Sequence, residues 1–125
     1  MANILWIGLG GFLGANARFW LGSLVNRWLG TGFPWATGLV NISGAFLIGI
    51  VATLFVDRAV GNEALRLFLI VGILGGYTTF SSYMWEAVTL IEQGRWLPAI
   101  TYLVGSNVLG IAACVAGVML ARIWT

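Results

Sequence analysis

Residues 71–86 read VGILGGYTTFSSYMWE and lie inside an apolar segment long enough to cross a bilayer. The middle of that segment is Gly75-Gly76-Tyr77-Thr78-Thr79. Paired glycines followed by two β-branched threonines are poor helix formers, so a helix is expected to break there. In lipid such a break is never idle. Every backbone group released from the helical ladder needs a partner, and non-helical backbone at membrane depth survives only where protein buries it or a polar cavity meets it. The break therefore points to an ion or solute site near the midplane. Gly72 and Gly76 also form a GxxxG pair, which alone reads as a helix-packing seam. The hydroxyls of Thr78, Thr79, Ser81 and Ser82 in the same few turns tip the reading toward a site.

Composition settles the solvent. With 60% apolar and 8% charged residues in a 125-residue chain, the sequence is far from a soluble domain and reads as one integral membrane domain. The net charge of +2 comes from six arginines and four acids, with no lysine and no basic run, which argues against nucleic acid and against a polybasic lipid patch. Histidine is absent and Cys114 is the single cysteine, so a His/Cys metal site and an intrachain disulfide are both excluded. Cys114, in the middle of an apolar run, reads as a small buried residue. Met1-Ala2-Asn3 carries no positive charge ahead of the first apolar run, which is therefore expected to stay as a membrane helix.

Four apolar segments follow one another, at about residues 4–24, 35–55, 65–90 and 97–123, each near the ~20 residues a span requires. The fold expected is an all-α, four-span membrane domain whose third helix is broken near its middle. Polar joints containing Gly30, Gly32 and Pro34, then Asp57 to Glu63, then Glu92-Gln93-Gly94-Arg95 separate the spans. Trp28, Trp35, Trp96 and Trp124 fall at segment ends, as an aromatic belt places them.

A few polar residues interrupt the spans. Gly10 and Gly14 in the first segment are spaced for close helix contact, while Arg18 sits well inside the apolar run, where an arginine costs about 2.5 to 3.5 kcal/mol at the bilayer centre. Arg18 either snorkels to an interface or binds carbonyls within the bundle. Asn41 in the second segment makes an interhelical hydrogen bond or serves a site, and it shares a face with Gly44 and Ile48, Gly44 leaving room beside the amide for something small. In the third, Phe80, Tyr83 and either Glu86 or Ala87 lie along one face by i, i+3 spacing, ordinarily a core or lipid contact. Glu86 is the only acid within a span. The fourth carries Ser106, Gly110 and Cys114 at i, i+4, i+8, one turn after Tyr102, a stripe suited to packing with a hydroxyl to spare.

With four spans, Arg58, Arg66 and Arg122 fall on one side and Arg27 and Arg95 on the other, with Arg18 between them. A protein of fixed orientation carries an excess of Lys/Arg on its cytoplasmic loops, and here there is almost none. Both orientations are then open, and an antiparallel homodimer follows, with two copies of the broken segment face to face.

The stretches GGFLGANARF, WATGLVN and above all GILGGYTTFSSYMWE resemble the small bacterial fluoride channels of the Fluc or CrcB family, over essentially the whole chain. The resemblance implies a channel and not an enzyme. It would sit as a dual-topology antiparallel homodimer in the bacterial inner membrane and export fluoride passively through two pores, around a central structural sodium ion. By position, Asn41 resembles the pore asparagine, Phe80 the first phenylalanine of an aromatic pair, Ser106 a pore-lining position on the fourth span, and Glu86 a carboxylate toward one end of the path. Gly75 and Thr78 resemble the positions whose backbone carbonyls surround the sodium ion, and Arg18 an arginine characteristic of the family, with a vestibule or structural contact. Tyr83 departs from the pattern, standing where the family has a second phenylalanine, so either its ring edge or its hydroxyl is the working group. Fluoride is small and strongly hydrated, and several neutral donors can replace its water without trapping it. Two other classes remain open at this stage: a four-span proton-coupled exporter working through Glu86, and a non-conducting subunit of a larger complex.

The charge balance makes a direct prediction. Reporters fused to the C-terminus will show both orientations in one cell population, and a single orientation contradicts antiparallel assembly.

Overall fold

The computed structural model describes residues 1–124. Helix α1 spans Ala2–Leu29 and α2 spans Trp35–Arg58. The third span is composite: α3 (Glu63–Arg66), a π-helical stretch (Leu67–Leu74), α4 (Gly75–Tyr77) and α5 (Phe80–Glu92). Helix α6, Trp96–Ile123, completes the chain. Among the described residues there is no strand, and four helical stretches are long and apolar enough to cross a membrane. The expected order of spans is present, with longer ends. At about 1.5 Å per residue, the 28 residues of α1 are longer than the hydrocarbon core is thick, and Trp28 lies in its last turn. Gly30, at φ 75°, then closes α1 in a conformation that side chains rarely adopt.

Helix α2 packs along α6, and α1 packs along the π-helical stretch. Glycine makes both contacts possible. A Cβ on Gly14 would strike the Ile73 carbonyl oxygen and come within 2.8 Å of the Tyr77 nitrogen, and one on Gly10 would strike the Phe68 carbonyl oxygen. At the other seam, Gly49 lies against the Cys114 carbonyl and Gly117 against that of Phe46. Gly72 and Gly76 do form a packing seam, against Gly10 and Gly11 of α1. A Cβ on Gly110, in contrast, would meet open space, so the small-residue contact of α6 runs through Cys114 and Gly117.

The third helix breaks at Thr78 (φ −83°, ψ 157°) and Thr79 (φ −147°, ψ 119°), which are extended. Gly75 and Gly76, expected to belong to the break, remain helical. Packing of Gly76 on the Gly11 backbone holds them there, and the irregularity falls on the threonines after them and the wide π-helical turns before them. The joints keep the sidedness inferred from the arginines. Arg122 Nε pairs with Asp57 Oδ2 at 2.9 Å at one end of the bundle, and Arg95 Nη1 donates to the Gly32 carbonyl at 2.6 Å at the other. Near that second end lies the core cluster of Tyr83, Ala87, Leu90, Ala99 and Tyr102.

A side chain at Gly14 meets backbone atoms that cannot move aside. Gly14→Val is therefore expected to cost about 1 to 3 kcal/mol or more, read as a lower unfolding midpoint in detergent, whereas Gly8→Ala, with open space around it, leaves the midpoint in place.

Candidate functional site at the helix break

The break frees the peptide groups around Thr79, and Asn41 of α2 takes them up. Asn41 Nδ2 donates to the Thr79 carbonyl at 2.9 Å, and Asn41 Oδ1 accepts from the Thr79 N–H at 2.8 Å. One amide thus completes both halves of the exposed residue, leaving one Nδ2 hydrogen over. Thr79 in turn caps α5: its Oγ1 accepts from the Ser82 N–H at 3.2 Å. A second tie holds the near side of the break, where the Tyr77 and Ser43 hydroxyls are 2.8 Å apart. A Cβ on Gly44 would strike the Thr78 methyl and meet the Tyr77 ring, while the open recess lies beside Gly44 and Asn41.

These bonds have a consequence for two carbonyls. In an unbroken helix the Thr79 N–H would close on the Gly75 carbonyl and the Ser82 N–H on that of Thr78. Asn41 and Thr79 Oγ1 take those two donors, so the Gly75 and Thr78 oxygens lose their ladder partners. The Thr78 hydroxyl donates back to the Leu74 carbonyl at 2.9 Å and leaves its own lone pairs available. Uncharged carbonyl oxygens are the donor type that hard cations take.

Asn41, Gly75, Thr78, Phe80 and Tyr83 line one recess of about 360 Å³, in which Asn41, Gly44 and Ile48 share a wall as their spacing predicts. Phe80 projects outward, 74% exposed, with its ring T-shaped to Tyr83 at 6.2 Å. A second cavity, about 590 Å³, opens at the end of the bundle bearing Arg95. Arg18, Asn26, Thr37, Ser82, Glu86 and Arg95 are among its walls, so Arg18 faces a polar vestibule from within the bundle. Thr79 lines both spaces and stands between them.

Glu86 turns into the vestibule while Ala87 takes the buried place behind Tyr83. Both carboxylate oxygens are held by neutral donors: Thr37 Oγ1 at 2.7 Å and the Tyr102 hydroxyl at 2.7 Å. The Tyr83 hydroxyl donates to the Leu103 carbonyl at 2.9 Å and accepts from Asn107 Nδ2 at 2.8 Å. Ser106, half-buried on α6, faces Tyr83 but lines neither space. Thr37 and Asn107 were not singled out from sequence. Asn107 carried the same signal as Asn41, an amide within an apolar span, whereas Thr37 gave none because its partner is 49 residues away.

Residues 5–118 match a family described as CrcB-like protein, Camphor Resistance (CrcB). The chain belongs to the CrcB family. Among its CrcB relatives are chains from Nitrobacter winogradskyi, 45% identical over 96% of this chain and 95% of the relative, and Chloroflexus aurantiacus, 44% identical over 98% and 97%. A third, from Chlorobium phaeobacteroides, is 46% identical over 98% and 95%. All three carry the name fluoride-specific ion channel FluC. With four spanning helices, this CrcB chain is a multi-pass membrane protein, consistent with the bacterial inner membrane.

Asn41→Leu strips the Thr79 peptide of both partners, at about 1 to 3 kcal/mol for each group. The expected result is a clearly lower unfolding midpoint in detergent. An asparagine that served only a permeating ion would leave that midpoint unchanged.

Proposed function

We propose that the chain forms a fluoride-selective channel through which fluoride leaves the cytoplasm passively. The observation that carries this reading is near-full-length identity to relatives named as fluoride-specific ion channels. The chemistry of the site supports it. Between vestibule and recess the groups on offer are the remaining Asn41 amide hydrogen, the hydroxyls of Thr79 and Ser82, and aromatic edges at Phe80 and Tyr83, whose rim carries partial positive charge. Neutral donors of this kind replace water around a small anion and still release it. Arg18 and Arg95 in the vestibule wall raise the local anion concentration without entering the narrow stretch.

The partner in this reading is a second, antiparallel copy, and each copy brings its own vestibule, which gives two paths. The recess supports it: lipid cannot satisfy the released Gly75 and Thr78 carbonyls, and non-helical backbone at membrane depth has to be covered by protein or a polar site. Two copies related by a twofold axis would bring their carbonyls together around a shared sodium ion. A cation there supplies a positive potential that favours anions nearby.

The alternative, proton-coupled export, rests on Glu86, which does line the vestibule. One experiment addresses the set. Protein reconstituted alone in liposomes is expected to release fluoride and almost no chloride, and to lose activity when sodium is withheld throughout purification. Comparable chloride flux, or no flux of either ion, rejects the fluoride channel. Transport abolished by Glu86→Gln together with loss of proton dependence favours the exporter.

A further inference from the structure

The phenol of Tyr83 is fully engaged. A phenol has one hydrogen, and the Leu103 carbonyl, which can only accept, lies 2.9 Å from it. The phenol oxygen then accepts from Asn107 Nδ2 at 2.8 Å. The same nitrogen is 2.8 Å from the Leu103 carbonyl, which fixes the amide orientation, since the Asn107 oxygen would be repelled there. Both amide hydrogens of Asn107 are thereby used, one on its own helix and one on Tyr83. The ring is held between Tyr102, T-shaped at 5.1 Å, and Phe80.

We propose that Asn107 is a positioning residue for Tyr83: its amide keeps the phenol hydrogen on Leu103, so that Tyr83 offers the path its ring edge and not its hydroxyl. The inference rests on the channel reading above. The physical reason is that donation into the phenol oxygen polarises its O–H and strengthens the bond that the O–H makes to Leu103. Without Asn107 the phenol loses a tether and keeps the Leu103 carbonyl and the Ser106 hydroxyl that faces it. Its O–H, a stronger donor than a ring edge, becomes available to a dehydrated anion and slows its departure.

The test is fluoride efflux from liposomes for the parent, Asn107→Leu, Tyr83→Phe and the double variant, with each Asn107→Leu rate compared with its own background. Asn107→Leu is expected to slow efflux roughly threefold to tenfold when residue 83 is tyrosine. It is expected to have no further effect in Tyr83→Phe, where no hydroxyl remains to be held. Equal slowing in both backgrounds assigns Asn107 to helix packing and overturns the proposal, as does an unchanged rate in Asn107→Leu. A parent that releases no fluoride overturns the channel reading instead, and this inference with it.

Discussion

The two hydrogen bonds between the Asn41 amide and the Thr79 peptide are the constraint on which the rest of the architecture depends. An extended residue in the middle of a membrane helix frees a donor and an acceptor that lipid cannot pair. A carboxamide is the side chain that presents one of each in the same plane, so it can replace a missing peptide neighbour. By drawing the Thr79 N–H to itself, Asn41 also denies it to the Gly75 carbonyl. The same interaction therefore stabilises the break and takes from the Gly75 oxygen its ladder partner, as Thr79 Oγ1 does for Thr78.

Holding that arrangement requires the third span to stay close to its neighbours, and the glycines meet this need. Between helices in lipid there is little hydrophobic drive, so packing contacts and polar ties carry the association. Gly10 and Gly14 let α1 touch the π-helical backbone directly, while Gly49 and Gly117 do the same for α2 and α6. Three polar ties then cross between helices from the third span: Tyr77 to Ser43, Glu86 to Thr37 and Tyr102, and Tyr83 to Leu103 and Asn107. Each joins α4 or α5 to α2 or α6. Together they set which groups face the vestibule and which face the recess.

In the proposed channel, the distribution of charge suits an anion that must pass without being held. Arg18 and Arg95 line the vestibule, and Glu86, the carboxylate in its wall, has both oxygens occupied by hydroxyl donors. Around Thr79 the available groups are neutral. A full positive charge in the narrow stretch would bind a small anion tightly, whereas shared partial charges lower the entry barrier without deepening the well.

Much of this was legible from the chain alone. Four apolar runs and ten charged residues allow only a helical membrane domain, because each lipid-facing backbone group must be paired within its own segment. The stretch from Gly75 to Thr79 marked the break, although only its threonines leave the helix, and Asn41, Phe80, Tyr83 and Glu86 stood out as polar or aromatic exceptions at helical spacing. The family match confirmed the resemblance those motifs suggested. Tertiary structure alone decided where Asn41 points, that Gly117 and not Gly110 seats α6, and that Ala87 rather than Glu86 lies behind Tyr83. It also decided that Thr37 and Asn107 belong with Glu86 and Tyr83. Periodicity reports which residues share a face of one helix, whereas these facts depend on the rotation and depth of one helix against another, set by contacts between residues far apart in sequence.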